Sequence, residues 1–203
     1  MNMNQDKTFY IMMGKSGCGK GTQSELLLKY LQEKSRDVLY ITTGGNFREF
    51  IKSDNHTSNK SKYLINTGGL MPEFLAIWNW STIFINKIKG GEDVILDGAP
   101  RKVLEVNALL EACDFYEYAN VCVLYVNVSD EWAMEKLQSR GRSDDDKKEE
   151  QERKMQWFKD DVIPCINMFK EKSETDTKYK FLEINGEQSV EDVHAELISK
   201  LEN

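Results

Sequence analysis

Gly14-Lys15-Ser16-Gly17-Cys18-Gly19-Lys20-Gly21-Thr22 decides how this chain is read. The stretch follows a short apolar run at residues 8–13. It opens a segment, residues 22–33, whose apolar residues recur at three- and four-residue spacing. A glycine-rich turn between a strand and a helix lets backbone N–H groups face an anion, and the helix N-terminus adds partial positive charge. Lys20 then reaches the outer phosphates of a bound polyphosphate. Spacing, lysine and strand–helix context together make a chance glycine-rich turn a poor account of this stretch.

Outward from the loop, short β-branched runs alternate with longer helical patterns. Residues 38–42, 93–97, 121–126 and 180–184 join 8–13 as expected strands, with residues 130–138 among the helices between them. Their near-continuous hydrophobicity suits strands covered on both faces. The alternation predicts an α/β, five-stranded parallel sheet with helices on both faces, and with the phosphate loop this makes a three-layer P-loop NTPase fold. Ligands on such sheets gather beyond the carboxyl ends of the strands. A long excursion from Gly44 to about Trp80 and a short charged stretch at residues 140–150 interrupt the pattern.

At 203 residues the chain is long enough for one well-cored domain. A net charge of −7 argues against a general nucleic-acid or membrane-surface binder, which needs a basic face. Residues 1–7 are polar, without the apolar core of a secretion signal. Cys18, Cys113, Cys122 and Cys165 show no paired spacing, so the expected home is a reducing cytoplasm. Trp78, Trp80, Phe84 and Ile85 stand at near-helical spacing and are expected to pack a helix onto the core.

Many phosphate loops place a Ser or Thr directly after the lysine to ligate Mg²⁺. Here Gly21 holds that place and Thr22 comes next. The ion is therefore expected to be held mainly by phosphates and water, with Asp97 at the end of the third strand orienting the water shell.

Gly17-Cys18-Gly19-Lys20-Gly21-Thr22-Gln23 resembles the P-loop of the adenylate kinase family of nucleoside monophosphate kinases. The likeness recurs in order. Thr43-Gly44 with Arg48, Gly68-Gly69-Leu70-Met71-Pro72, and Asp97-Gly98-Ala99-Pro100-Arg101 are each similar to a family element. So are Arg140-Gly141-Arg142-Ser143-Asp144-Asp145 with Arg153, and Ile184-Asn185 ahead of Ser189-Val190. The resemblance covers almost the whole chain. It implies a core of 1–42, 81–139 and 147–203, a monophosphate-binding insert at about 43–80, and a very short lid at about 140–146.

The resemblance also implies roles. The cofactors would be ATP, bound by residues 17–22 (Gly17, Cys18, Gly19, Lys20, Gly21 and Thr22), and Mg²⁺. Lys136, Arg140 and Gln188 would also contact ATP. The acceptor would lie against Thr43, Arg48, Gly69, Leu70, Met71, Gly98, Ala99, Pro100, Arg101 and Glu105. Arg142 and Arg153 would bridge the transferring group, making Lys20, Arg101, Arg140, Arg142 and Arg153 the catalytic set. Arginine suits this task because its planar fork grips phosphate and stays charged. Taken singly, each would pass for a surface arginine. His56 and His194 match no family position, and phosphoryl transfer needs alignment and charge more than a base. A monomer acting on small nucleotides, with no nucleic-acid or membrane partner, is implied.

Thr43 resembles the adenylate kinases rather than their pyrimidine-specific relatives, which favours AMP as acceptor. Glu105 departs from the family, which carries glutamine or asparagine there. Ionised, it only accepts hydrogen bonds, and so suits guanine's N1–H and N2 better than adenine's N1. Leaving such a buried group unpaired costs roughly 1–3 kcal/mol. Gly45 stands in place of an aspartate, and Lys136 in place of a stacking arginine. A kinase for GMP, UMP or CMP, a nucleotide sensor with little catalysis, and a kinase for a non-nucleotide metabolite are the alternatives. A switch-type GTPase is disfavoured by Gly21 and by the lack of an Asn-Lys-x-Asp run. Only Gly141 separates the two lid arginines, and a lid excludes water. The chain should therefore hydrolyse ATP without acceptor faster than longer-lidded relatives; phosphate release as slow as theirs would contradict this.

Overall fold

Alternation along the first strand builds both halves of the core. In the computed structural model, which describes residues 7–139, 141 and 147–203, β1 spans Thr8–Gly14. Phe9, Ile11 and Met13 point to one face, Tyr10 and Met12 to the other, and all are buried. The first face packs with Trp80, Phe84, Val106, Leu109 and Phe169; the second packs with Leu27, Leu31, Leu137 and Leu197. A strand that is apolar on both faces requires a helical layer on each side.

The remaining elements keep to the expected alternation. They are α1 (Lys20–Glu33), β2 (Val38–Thr42), α2 (Thr43–Phe50), α3 (His56–Asn66), α4 (Glu73–Lys87) and β3 (Asp93–Asp97). Then come α5 (Val103–Phe115), β4 (Asn120–Asn127), α6 (Asp130–Ser139), α7 (Lys148–Trp157), a π-helical turn (Phe158–Val162), α8 (Ile163–Thr175), β5 (Tyr179–Asn185) and α9 (Val190–Glu202). The described strands form one five-stranded parallel sheet in the order β2-β3-β1-β4-β5. The expected α/β P-loop NTPase architecture is thus observed, with strand ends within a residue or so of the sequence reading. Chain connections leave β1 to one side and β3 to the other, so the crevice beyond β1 and β3 is a topological switch point.

Two local features differ from the sequence expectation. Helix α1 starts at Lys20 because Gly19, in the left-handed region at φ 89°, turns the chain straight into it. Trp80 and Phe84 are buried as expected, but Trp78 is 44% exposed and Ile85 75% exposed. At about 100° per residue the two pairs fall on opposite faces of α4. Trp78 instead packs its ring against Phe50 of α2, 5.2 Å away.

The long excursion is folded as α2, α3 and the start of α4. Thr42 caps α2, its hydroxyl accepting from Gly45 N, and Asn55 with Ser58 forms a reciprocal cap on α3. Of the expected lid only Gly141 lies among the described residues. The cysteines are free and buried. No helix among the described residues is long and apolar enough to cross a membrane.

At the opposite end of the sheet from the crevice, Asp93 has a fully buried side chain. It accepts from Thr8 N at 2.7 Å and from the guanidinium of Arg36, tying the starts of β1 and β3 to the turn before β2. Removing one partner of a buried pair strands the other's charge. Arg36→Met should therefore cost about 3–5 kcal/mol and lower Tm by roughly 6–20 °C at this chain length. A thermal melt that superimposes on that of the wild type would contradict this.

Candidate active site

Strand register brings the site together. Met12 of β1 and Thr42 of β2 both stand opposite Asp97 of β3, and Gly14 stands opposite Val126 of β4. The loops leaving β1, β2 and β3 therefore open at one level. Between them lies a cleft of roughly 340 Å³, of the size expected for a small-molecule site.

One wall is the glycine-rich loop. Gly14, Gly17 and Gly19 have φ of 145°, 91° and 89°. A Cβ on Gly17 would sit 2.4 Å from the Ala133 carbonyl oxygen, so the loop is packed hard against α6. Lys15 is anchored there too, its ammonium donating to Val128 O at 2.6 Å and pairing with Asp130 at 2.8 Å. Lys159 of the π-helical turn pairs with the same carboxylate at 2.6 Å, and the two lysines hold Asp130 below the usual carboxylate range. Lys20 Nζ donates to Lys15 O at 3.0 Å and faces the cleft, as do Ser16 and Gly21. Asp97 is 9% exposed, and a Cβ on Gly21 would lie 3.5 Å from its Oδ2. A carboxylate at this place, Asp97 beside Gly21, fits an ion held mostly by phosphates and water.

The facing wall carries the arginines. Thr43 donates to Asp97 O at 3.2 Å. The Arg48 guanidinium folds over Gly44, and that of Arg101 lies beside Gly98 with its Nε donating to Gly98 O at 2.8 Å. The Arg101 guanidinium also lies over the Trp157 ring, 5.1 Å from its centre, and the Trp157 indole donates to Gly68 O at 3.1 Å. Trp157 sits where α7 meets the π-helical turn, so the turn fixes the angle at which the ring backs Arg101. π-Bulges are frequent at functional sites.

Away from the phosphate loop the cleft turns apolar, with Phe47, Ile65, Leu70, Met71 and Ala76 along its sides. Glu105 is set among them, 3% exposed, its Oε1 accepting from Arg101 N at 3.3 Å. Burial pushes its carboxyl upward from the ordinary value, against the pull of Arg101 and a hydrogen bond from Trp80. The sequence reading takes this group as ionised; its surroundings work against that.

The cleft thus gathers Lys20, Gly21, Thr43, Arg48, Gly69, Leu70, Met71, Asp97, Gly98, Ala99, Arg101 and Glu105 from the expected set. Pro100 lies in a small recess behind it with Gly14 and Trp157. Gly17, Gly19 and Thr22 belong to the loop but not to the lining, and the Cys18 side chain is buried in the core under α1 and α6. Lys136 is exposed on α6 with its ammonium over the Trp132 ring at 4.8 Å, while Gln188 donates to Asn185 O and to Glu196. Neither lines the cleft. Arg140 and Arg142 lie outside the described residues, as do Asp144 and Asp145.

Arg153 is not part of the cleft lining. It is exposed on α7 and donates to Thr67 O at 2.7 Å. Lys154, only 6% exposed, is the α7 cation in the cleft lining. Sequence reasoning missed Lys154 and Trp157, along with Tyr40 and Lys102. For the two α7 residues the signal was the inward face of that helix, where buried Glu150, Gln151 and Lys154 and half-buried Trp157 recur at helical spacing. Arginine counting passed over it.

Residues 12–174 match the family model described as adenylate kinase. Adenylate kinase 1 of Nostoc sp. is 29% identical over 194 residues, 96% of this chain and 98% of that protein. An adenylate kinase of Prochlorococcus marinus is 28% identical, over 94% of this chain and 97% of its own length. One from Encephalitozoon cuniculi is 26% identical, over 95% and 97%.

Proposed function

This chain belongs to the adenylate kinase family, and from that premise we propose that it catalyses the reversible, Mg²⁺-dependent reaction ATP + AMP = 2 ADP within the cleft beyond β1, β2 and β3. The observation that carries the proposal is the opposition of two phosphate-binding walls. Lys20 and Gly21 of the phosphate loop face Arg48 and Arg101 across one opening, with an apolar slot behind the arginines. A single-nucleotide binder has no use for the second wall. Coverage of nearly the full length of the curated relatives supports the same reading.

In this proposal the phosphate loop and Lys20 hold the β- and γ-phosphates of ATP. Arg48 and Arg101 hold the phosphate of AMP, and the Trp157 ring backs the Arg101 guanidinium. A planar fork backed by an aromatic ring loses little entropy when it grips phosphate. The acceptor oxygen is already nucleophilic, so the residues contribute alignment and charge rather than proton transfer. Bound Mg²⁺ neutralises phosphate charge, and Asp97 would orient its water shell. Arg142 and Arg153 are assigned to the transferring group, Arg140, Lys136 and Gln188 to ATP. Lys154 joins the acceptor-side cations because it lines the cleft while Arg153 reaches Thr67 O.

The reading includes a cytoplasmic location, supported by cysteines that are buried and unpaired with one another. It also includes a monomer without nucleic-acid or membrane partners. A cleft assembled within one acidic chain supports that part.

Purified protein should be mixed with Mg·ATP and each of AMP, GMP, CMP, UMP and dTMP, and the diphosphates quantified. AMP should give the highest turnover, falling by about 10²–10³ in Lys20→Met, as for loss of one charge-stabilising group. Product chiefly from another base would overturn the acceptor. No diphosphate from any of them would overturn the kinase.

A further inference from the structure

A base held in the apolar slot has few polar groups to meet. Among the described residues lining that end, Glu105 is the carboxyl set among apolar side chains, on the first turn of α5. Its Oε1 is fixed by Arg101 N at 3.3 Å, and Trp80 of α4 also donates to the carboxyl. Those donors orient the carboxyl. The chemistry of the base edges then decides what it can read. Adenine offers a donor, the N6 amine, beside an acceptor, N1; guanine offers donors at both N1 and N2. A carboxylate has only acceptors, whereas a carboxylic acid has one donor and one acceptor side by side.

We infer that Glu105 selects the acceptor base, and that it reads adenine as a neutral carboxylic acid whose hydroxyl donates to N1 while its carbonyl oxygen accepts from the N6 amine. This rests on the nucleotide-kinase reading above and adds to it a base choice that depends on pH. Protonated, Glu105 reproduces the donor–acceptor pair of an amide; ionised, it matches guanine and opposes the N1 lone pair of adenine.

The groups around it can be weighed in turn. Burial favours the neutral form most strongly, and Glu73 of α4 adds to it. Arg101, its backbone N–H and the Trp80 indole favour the ionised form. Cys165 of α8 faces the same group, and Lys102 at the head of α5 pairs with Asp161 of the π-helical turn at 3.9 Å. Arg48 of α2 and Lys154 of α7 line the cleft on its other sides. The sum raises the carboxyl above its ordinary value in the free protein. An acceptor phosphate paired with Arg48 and Arg101 would offset the cations that oppose it, so acceptor binding pushes further the same way. The contribution to AMP binding is therefore complete below the pKa of Glu105 and is lost as pH rises through it.

The test compares kcat/KM for AMP with that for GMP, at saturating Mg·ATP, over roughly pH 5.5–8.5, above the ordinary carboxyl pKa of about 4.3. Both acceptors carry the same phosphate, so its ionisation and any general pH effect on turnover cancel in the ratio. The wild-type preference for AMP should fall with rising pH, by up to about tenfold per unit above the Glu105 pKa. In Glu105→Gln the preference should be high and flat. A flat wild-type ratio overturns the inference and leaves the kinase standing, whether or not the variant folds. A falling ratio that persists unchanged in folded Glu105→Gln overturns it as well. No diphosphate from AMP or GMP at any pH removes the kinase reading and this one together.

Discussion

Phosphates repel one another, and a protein that brings two phosphorylated molecules end to end must supply enough fixed positive charge, dry enough, to hold them there. The rest of this structure depends on that constraint. At the carboxyl ends of parallel strands backbone N–H groups and helix N-termini already point outward. The sheet order β2-β3-β1-β4-β5 places the phosphate loop at its middle strand. The register that levels Met12, Asp97 and Thr42 then sets the acceptor loops beside it. Lys20, Arg48 and Arg101 come from distant parts of the sequence, and the sheet makes them neighbours.

Holding those cations in place requires its own support. Lys15 does not face the ligand; it clips the loop to the β4–α6 turn through Asp130, which also receives Lys159 from the π-helical turn. The same turn sets Trp157 against Arg101. One short irregular segment thus braces the donor wall and the acceptor wall together. A regular helix through residues 158–162 would rotate Trp157 relative to α8, and the two supports would no longer be delivered by one element.

Much of this was legible in the sequence because it rests on local rules. The strands announced themselves through apolar runs covered on both faces, and the phosphate loop through glycines that only a left-handed backbone requires. The cleft residues from Thr43 to Arg101 were named because each sits in a short contiguous element. What the sequence concealed depends on three-dimensional packing. Whether α7 turns Arg153 or Lys154 into the cleft is a matter of helix phase against Gly68, and a charged run of residues does not disclose its phase. Trp78 and Ile85 look like core partners of Trp80 and Phe84 until the helix face is fixed by contact with β1. The upward shift of the Glu105 carboxyl escapes the sequence for a related reason: residue type gives a reference acidity, and burial moves it.

The central claim is that donor and acceptor meet in this one cleft and that the phosphoryl group passes directly between them. The stereochemical course tests it most directly. ATP carrying an isotopically chiral γ-thiophosphate would be turned over with AMP, and the configuration at phosphorus in the product determined. A single in-line transfer inverts that centre, and inversion is the predicted result. Retention would mean that the group first rests on the protein, and would contradict a cleft built to hold both nucleotides at once.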